Sequence, residues 1–384
     1  MTPRTVEAHA GHVVSIREVP VTTTATEPAA ALLRGYVAAY NEISRDTWGT
    51  DDYERAPDET LEAMRPKPYE TVVRLGALDE AAAGDGVPDD EVAPDDVLGC
   101  AVVYMPLQDN TAWAYVGASV RPAHRGRGIG TALYDEALRV AREHGRTTLM
   151  AETDHRAEPP VGPGARTATT GSGRVPADDP GVRFLTARGW TLEQVERRSV
   201  LDLPVAPDVL ERFRAEAAQV ADGEYRVVAW GDRVPQEWVA QAAALYTEMS
   251  VAPPLGGLDY EQDVWDAARV RDHEDTHEAR GTHAWTVAAE HVPTGRLVGY
   301  TRLMEIPPVA HLVHQDDTLV AQGHRGHRLG MLLKAVNLQR LAAARPGAQR
   351  VDTWNAEENE HMLAINVALG FRPAGCSGAW QLKL

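Results

Sequence analysis

The sequence predicts an α/β (α+β) chain of two tandem domains built on one repeated strand–turn–helix unit. At 384 residues the chain exceeds what one hydrophobic core ordinarily serves, so two domains of ordinary size are expected. Arg125-Gly126-Arg127-Gly128-Ile129-Gly130 follows an alternating run at 113–120 and opens a helix pattern reaching about His144. A related stretch, Arg325-Gly326-His327-Arg328-Leu329-Gly330, recurs 200 positions later in the same setting. Apolar residues at 43% and charged residues at 24% are globular values and exclude wholesale disorder.

Element by element, the first half reads as a strand at 12–18 and a helix at 27–43, with Leu32, Leu33, Tyr36, Val37 and Tyr40 at a 3.6-residue period. An Asp/Glu/Pro-rich stretch at 41–68 holds a second helix with loops. Strands follow at 69–75 and 97–105, separated by a solvated acidic loop at 79–96. The strand at 113–120, the glycine turn and a helix from Gly128 form the central unit, with Gly145 as its C-cap. A strand at 147–151 precedes a Gly/Pro/Thr/Ser-rich tract, 155–181, whose lack of periodicity predicts a flexible insertion. Order resumes at 184–190, a strand at 195–203 closes the domain, and 204–207 is the linker, placing the domains at 1–205 and 206–384.

The second half repeats this order. A helix from Asp208 leads to a strand at 225–230, a helix to Met249, an Asp/Trp-rich helical region at 260–280 and strands at 284–290 and 297–304. The strand at 311–320 enters the second turn, whose helix carries Leu329, Leu332, Leu333 and Val336 on one face. A strand at 350–354, a helix at 359–369 and a final hairpin after Gly370-Phe371 complete it. Sixty-four residues separate Arg125 from Gly189 and 45 separate Arg325 from Gly370; the 155–181 tract accounts for the difference.

Composition narrows the partners. Thirty-eight Lys and Arg against 56 Asp and Glu give a net charge of -18, which argues against sequence-independent binding to nucleic acid or anionic lipid. Cys100 and Cys376 show neither a metal-ligand spacing nor a disulfide framework, so a reducing, cytoplasmic compartment is expected. No stretch approaches the roughly 18 apolar residues of a membrane span, and residues 1–26 lack a signal-peptide core.

A glycine turn between strand and helix leaves N–H groups unpaired at the positive end of the helix dipole, where a phosphate can bind. A Rossmann site would use the same glycines, with Glu152 where a ribose-binding acid belongs, but residues 121–124 intervene between strand and turn. A P-loop requires a Lys-Ser/Thr pair that neither copy has. A purely structural turn is the remaining alternative.

The pattern Arg-x-x-Gly-x-Gly after a strand ending Val120-Arg121-Pro122, followed by amphipathic helix, strand, helix and Gly-aromatic turn, resembles the GNAT superfamily of acyl-CoA-dependent N-acyltransferases. The resemblance covers nearly the whole chain as a tandem pair, a layout similar to that of the mycothiol synthases. It implies two domains, each a mixed, mostly antiparallel sheet flanked by helices with a splayed strand pair for coenzyme A. In the first copy the amides of Arg125, Gly126, Arg127, Gly128, Ile129, Gly130 and Thr131 would hold the pyrophosphate, and Ala118, Ser119 and Val120 would pair with pantetheine. In the second, the counterparts are Thr318, Leu319, Val320, Arg325, Gly326, His327, Arg328, Leu329 and Gly330, with Asn355 and Asn359 as further cofactor contacts. Arg328 replaces the middle glycine and would either crowd the phosphates or add a charge to them. The first copy has Asp178, Gly189 and Trp190 where the second has Asn359, Gly370 and Phe371.

The resemblance implies an N-acetyltransferase that moves an acetyl or short acyl group from acetyl-CoA, or another short acyl-CoA, to the amine of a small molecule by direct attack. Such transfer needs a base for the amine, a donor for the thioester carbonyl and an acid for the thiolate. The family's usual Tyr acid is replaced by Asn366, and by Leu185 in the first copy, which leaves a non-catalytic acyl-CoA-binding module as the alternative. Candidate catalytic residues are His314, Asp316 and Asp317 on the strand before the second turn, Glu305 beside it, and Asn366. Strand alternation puts Asp316 and Asp317 on opposite faces, so one at most faces the cleft. Tyr115, Ser119 and Glu152 are the first-domain candidates. Trp48 with Asp51 and Asp52, and Trp265 with Asp263 and Asp266, would suit a cationic amine. His273, His277 and His283 lack the partners of a zinc site, and no metal is expected.

Overall fold

Two glycines, 200 positions apart, show how the chain is duplicated. A Cβ on Gly99 would lie 2.7 Å from the Ser119 carbonyl oxygen, and one on Gly299 would lie 2.7 Å from that of Leu319. In the computed structural model, which describes residues 4–7, 13–79, 88–221 and 223–384, these are points where a central strand leaves its neighbour no room for a side chain. The chain divides into two compact units, Met1–Arg156, Ala177–Leu192, Ala379–Leu384 and Ala157–Pro176, Glu193–Gly378, called here unit 1 and unit 2.

In unit 1, strands β1 (Arg4–Glu7), β2 (Val13–Glu18), β3 (Glu70–Asp79), β4 (Val97–Pro106) and β5 (Trp113–Val120) pair antiparallel in sequence order, and β6 (Thr148–His155) joins β5 in parallel. Helix α1 (Ala31–Trp48) buries Leu32, Leu33, Tyr36, Val37 and Ile43 in one cluster with Val97 and Cys100, the face its periodicity predicts. Helices α2 (Pro57–Met64), α3 (Ile129–Glu143) and α4 (Pro180–Ala187) complete the unit. Gly145, left-handed at φ 73°, follows the end of α3 as expected. His12, at the start of the expected first strand, and residues 80–87 of the acidic loop lie outside the described residues.

Unit 2 contains the hairpin β7 (Ala165–Thr167) and β8 (Arg174–Pro176), most of β9 (Thr191–Asp202), and β10 (Tyr225–Trp230), β11 (His283–His291), β12 (Arg296–Glu305), β13 (Leu312–Val320), β14 (Arg350–Ala356) and the first part of β15 (Arg372–Lys383). From β15 the order is β9-β14-β13-β12-β11-β10. β13 and β14 pair in parallel. Helices α5 (Pro207–Val220), α6 (Val239–Met249), α7 (Ala267–Ala279), α8 (Leu329–Ala344) and α9 (Glu360–Leu369) flank them.

Four expectations are corrected. The tract at 155–181 is not a flexible insertion of the first domain: residues 157–176 belong to unit 2. There Val175 is buried and Thr169 Oγ1 donates to the Glu193 carboxylate at 2.8 Å. Its order rests on three-residue strands and side-chain bonds, too short for any periodicity to register. Division at 205/206 is not where the units part either. Residues 379–384 belong to unit 1, where Trp380 is fully buried with its Nε1 donating to Thr153 Oγ1 at 3.0 Å. The expected final hairpin is the single strand β15. Finally, helix α7 starts at Ala267 rather than 260, because Asp266 caps it by accepting from Arg269 N at 2.8 Å.

Gly299→Ala drives a Cβ against backbone atoms that cannot swing aside, so it should cost about 1–3 kcal/mol. Gly347→Ala, whose Cβ meets nothing within 4 Å, should stay within about 0.5 kcal/mol of the parent. Thermal unfolding of the two variants checks this.

Candidate active site

The parallel pair in each unit stops early. β5 meets β6 at Trp113↔Thr148, Ala114↔Leu149 and Tyr115↔Met150, and β13 meets β14 at Leu312↔Arg350, Val313↔Val351 and His314↔Asp352. Beyond these vertices the strands keep their other neighbours, β4 as far as Val120 and β12 as far as Val320. One edge of residues 116–120 and of 315–320 therefore carries no ladder to the parallel partner, and its N–H and C=O groups can pair with an extended ligand. Ala118, Ser119 and Val120 lie on the first open edge, Thr318, Leu319 and Val320 on the second.

Each open edge leads into a glycine turn. Gly126 (φ 78°) and Gly128 (φ 87°) take left-handed backbone just before α3. In unit 2 Gly326 (φ 88°) repeats the first, while Arg328 holds the second left-handed position at φ 55°, a conformation that costs a residue with a Cβ roughly 1–2 kcal/mol. No side chain caps α3 or α8, and a Cβ on Gly126 or Gly326 would meet nothing within 4 Å. Open space thus lies over two helix N-termini whose first N–H groups have no side-chain acceptor, the cradle an anionic group needs. Arg125 and Arg325 brace their turns alike, each donating Nε to the carbonyl of Val120 or Val320 at 3.1 Å. Arg127 donates to the Ala123 carbonyl at 3.1 Å, and the His327 ring packs 5.4 Å from that of Tyr225. Arg328 sends its guanidinium to Glu216 at 3.3 Å, so part of its charge is already engaged there.

At the unit 2 vertex the β12–β13 register jumps from Thr301↔Thr318 to Leu303↔Gln315. Asp316 and Asp317 together oppose Arg302, a β-bulge that overrides strict alternation. Both carboxylates consequently reach one guanidinium: Asp316 Oδ2 lies 2.6 Å from Arg302 Nε and Asp317 Oδ2 3.9 Å from Arg302 Nη2. Tyr300 donates its hydroxyl to Asp317 Oδ2 at 2.7 Å. Burial, reinforced by Asp316 and opposed by Arg302, pushes the Asp317 carboxyl up to about 6.

His314, the vertex residue itself, sets Nδ1 2.7 Å from Oδ1 of buried Asp352, whose Oδ2 accepts from Arg198 Nε at 3.3 Å. Burial alone would lower the imidazole, but the Asp352 charge outweighs it and holds His314 above the usual range. Glu305 lies on the closed side of the vertex, where its Oε1 pairs with Arg345. Asn359 caps α9, accepting from Met362 N at 3.3 Å. Asp263 and Asp266, expected to suit a cationic amine, make local bonds, the first accepting from Tyr260 at 2.6 Å and the second from Arg269 N at 2.8 Å. His277 and His273 meet Nε2 to Nε2 at 3.1 Å, while His283 lies 3.3 Å from Asp232.

Asn366, fully buried, accepts from Lys334 Nζ at 2.8 Å and donates Nδ2 to Asn355 Oδ1 at 2.7 Å. Lys334 is 2% exposed, and burial by itself pushes its ammonium down to about 7. Sequence reading passed over it. The available signal was a lysine on the same helical face as Leu338 and Leu341, inside the apolar stripe of α8. Among the described residues, the unit 1 vertex shows no comparable arrangement. Its β4–β5 register carries no bulge, residues 116–120 include no ionisable side chain, and Tyr115, raised far above its usual range by burial and then by Glu152, donates to that carboxylate at 3.4 Å.

A splayed parallel pair above an uncapped glycine-turn helix, present twice, defines a class, and the sequence agrees: residues 39–159 match the acetyltransferase (GNAT) family model. Residues 39–159 thus carry a GNAT acetyltransferase domain, and the two-unit layout matches that of a tandem GNAT protein. It is similar to a tandem GNAT protein from the clavulanic acid biosynthesis pathway, solved without acetyl-CoA, at 26% identity and a TM-score of 0.69 over 96% of this chain and 98% of that one. A GCN5-related N-acetyltransferase from Sphaerobacter thermophilus shares the fold at 14% identity and a TM-score of 0.54, over 96% and 95% of the two chains. So does a glucosamine N-acetyltransferase region of a fungal multi-domain GH3 β-N-acetylglucosaminidase, at 15% and 0.59, over 97% of this chain and 38% of that one. Among curated proteins none matches.

Lys334 makes stability depend on pH. Below pH 7 it is charged in both folded and unfolded chains, and the full cost of burying an ammonium is present. Between about 7 and the ordinary lysine value near 10.4 the unfolded chain holds a proton the folded one has shed, so stability rises with pH, by at most about 1.4 kcal/mol per unit. Lys334→Met removes this dependence. Its melting temperature relative to the parent should be most favourable at pH 6 and fall steadily toward pH 10.

Proposed function

We propose that unit 2 transfers an acetyl or short acyl group from acyl-CoA to the amine of a small molecule, and that unit 1 holds acyl-CoA without chemistry of its own. The observation that carries this is the β13 bulge, which sets the Asp317 carboxylate where β13 parts from β14. The net charge of -18 favours a cationic acceptor.

Acyl-CoA, when bound, supplies the acyl group activated as a thioester. The residues fit it: the N–H groups at Leu329 and Gly330 face open space for its phosphates, and the free edge at Thr318, Leu319 and Val320 can take its pantetheine amides as an added strand. Asp317, with a carboxyl near 6, is unprotonated at neutral pH and takes a proton from the acceptor's ammonium, leaving a neutral, nucleophilic amine. Tyr300 engages Asp317 Oδ2 and so directs Oδ1 to that proton. As the new C–N bond forms and the C–S bond breaks, His314, whose protonated form Asp352 favours, gives its proton to the departing sulfur and takes up the second proton that the nitrogen sheds on becoming an amide.

Following free thiol with acetyl-CoA and a panel of small amines tests this reading. Activity should rise as pH passes through about 6, since Asp317 must lose its proton to act. Asp317→Asn should erase that limb and lower kcat by 10²-fold or more. Thiol release from no amine, despite tight acetyl-CoA binding, would reduce the chain to a binding protein. Calorimetry checks the division of labour: Gly128→Arg should lower the number of CoA molecules bound per chain from two to one while leaving thiol release intact.

A further inference from the structure

The one buried lysine in the unit 2 site has no ionic partner. Lys334 contacts Asn366 Oδ1 at 2.8 Å and the Phe371 ring at 5.7 Å, and makes no ion pair among the described residues. A buried ammonium satisfied by a single neutral amide is costly, and a leucine or methionine there would spare that cost. Charged groups on the elements packed against α8 are engaged elsewhere, Glu290 of β11 with Arg226 and Glu305 of β12 with Arg345. On the adjoining strands His314, Asp352 and Arg198 bond to one another. From α5, Glu211 and Arg214 pair at the surface, Glu216 lies within reach of Arg212 and Arg328, and Glu360 and His361 stand at the outer end of α9.

What the lysine does is fix a direction. Ammonium is a donor only, so Asn366 must turn Oδ1 toward it and Nδ2 away. Asn366 Nδ2 then donates to Asn355 Oδ1 at 2.7 Å, which leaves the Asn355 Nδ2 hydrogens without a partner among the described residues. Asn355 lies on β14 beyond Asp352, on the arm that no longer pairs with β13.

We propose that Lys334 is a positioning residue of the acyl-CoA site, locking the Asn366–Asn355 amide pair so that Asn355 presents its Nδ2 donor to an acceptor atom of the pantetheine-thioester arm. The proposal rests on the reading of unit 2 given above. A neutral lysine can accept as well as donate and no longer enforces this polarity, so binding at the splay favours the charged form. Lys334, poised near 7, must then take up protons when the site fills.

Calorimetric titration of the full chain with coenzyme A at pH 7.5, in buffers of different ionisation enthalpy, counts those protons, and steady-state kinetics with acetyl-CoA accompany it. The parent should take up a measurable fraction of a proton. Lys334→Met should lose that fraction, bind coenzyme A about tenfold more weakly and raise KM for acetyl-CoA, with the acidic limb of kcat kept. Should Lys334→Met not fold, Asn366→Asp retains the charge and supplies an anionic partner, which moves proton uptake to higher pH. Coenzyme A binding with the same proton uptake in parent and variants overturns the inference and leaves the reading of unit 2 standing. No coenzyme A binding in unit 2 of the parent overturns both.

Discussion

Everything in either site depends on a ladder that stops after three pairs. Backbone N–H and C=O groups leave water only when paired, and a strand that departs from its neighbour exposes a row of them along a fixed line. In this protein the departing strand is held by its other neighbour, pressed so close at Gly99 and Gly299 that no side chain fits between them. The open edge is therefore rigid, and it runs straight into the N-terminus of a helix. One end offers amide partners and the other an anion cradle, a match for a ligand that is itself an amide chain ending in phosphates.

Duplication allowed the two copies to diverge in opposite ways. Unit 1 keeps both glycines of its turn and an apolar open edge, and its ionisable vertex residue, Tyr115, is a phenol held neutral. Unit 2 tolerates a left-handed arginine in its turn, two carboxylates on one guanidinium, a protonation-prone carboxyl and a lysine without a counter-ion. Strained backbone and buried ionisable groups of this kind carry a cost in stability that unit 1 does not bear at the matching positions.

The repeated turns, the order of elements and the family were legible because they rest on local signals: glycine spacing, alternation and 3.6-residue periodicity. Misreadings occurred where tertiary context prevails. Alternation separated Asp316 from Asp317, and only the register jump opposite Arg302 reunites them. The Asp352 that orients His314 sits on the neighbouring strand, 38 positions on, and no local pattern pairs them. Lys334 was visible as a charge in an apolar stripe, yet its partners come from α9 and β14. The tract at 155–181 reads as disordered because its bonds to Glu193 and its packing on Val195 are long-range.

The ownership of residues 379–384 by unit 1 bears on how the chain is made. Trp380 fills a fully buried place beside Thr153, and the Leu384 N–H bonds to the Thr147 carbonyl at 2.8 Å. A ribosome delivers β6 long before it delivers those partners, and during that interval the outer edge of β6 and the place for an indole stand open. Unit 1 therefore waits on residues 379–384, and a chaperone that shields nascent chains has a defined edge to cover until they emerge.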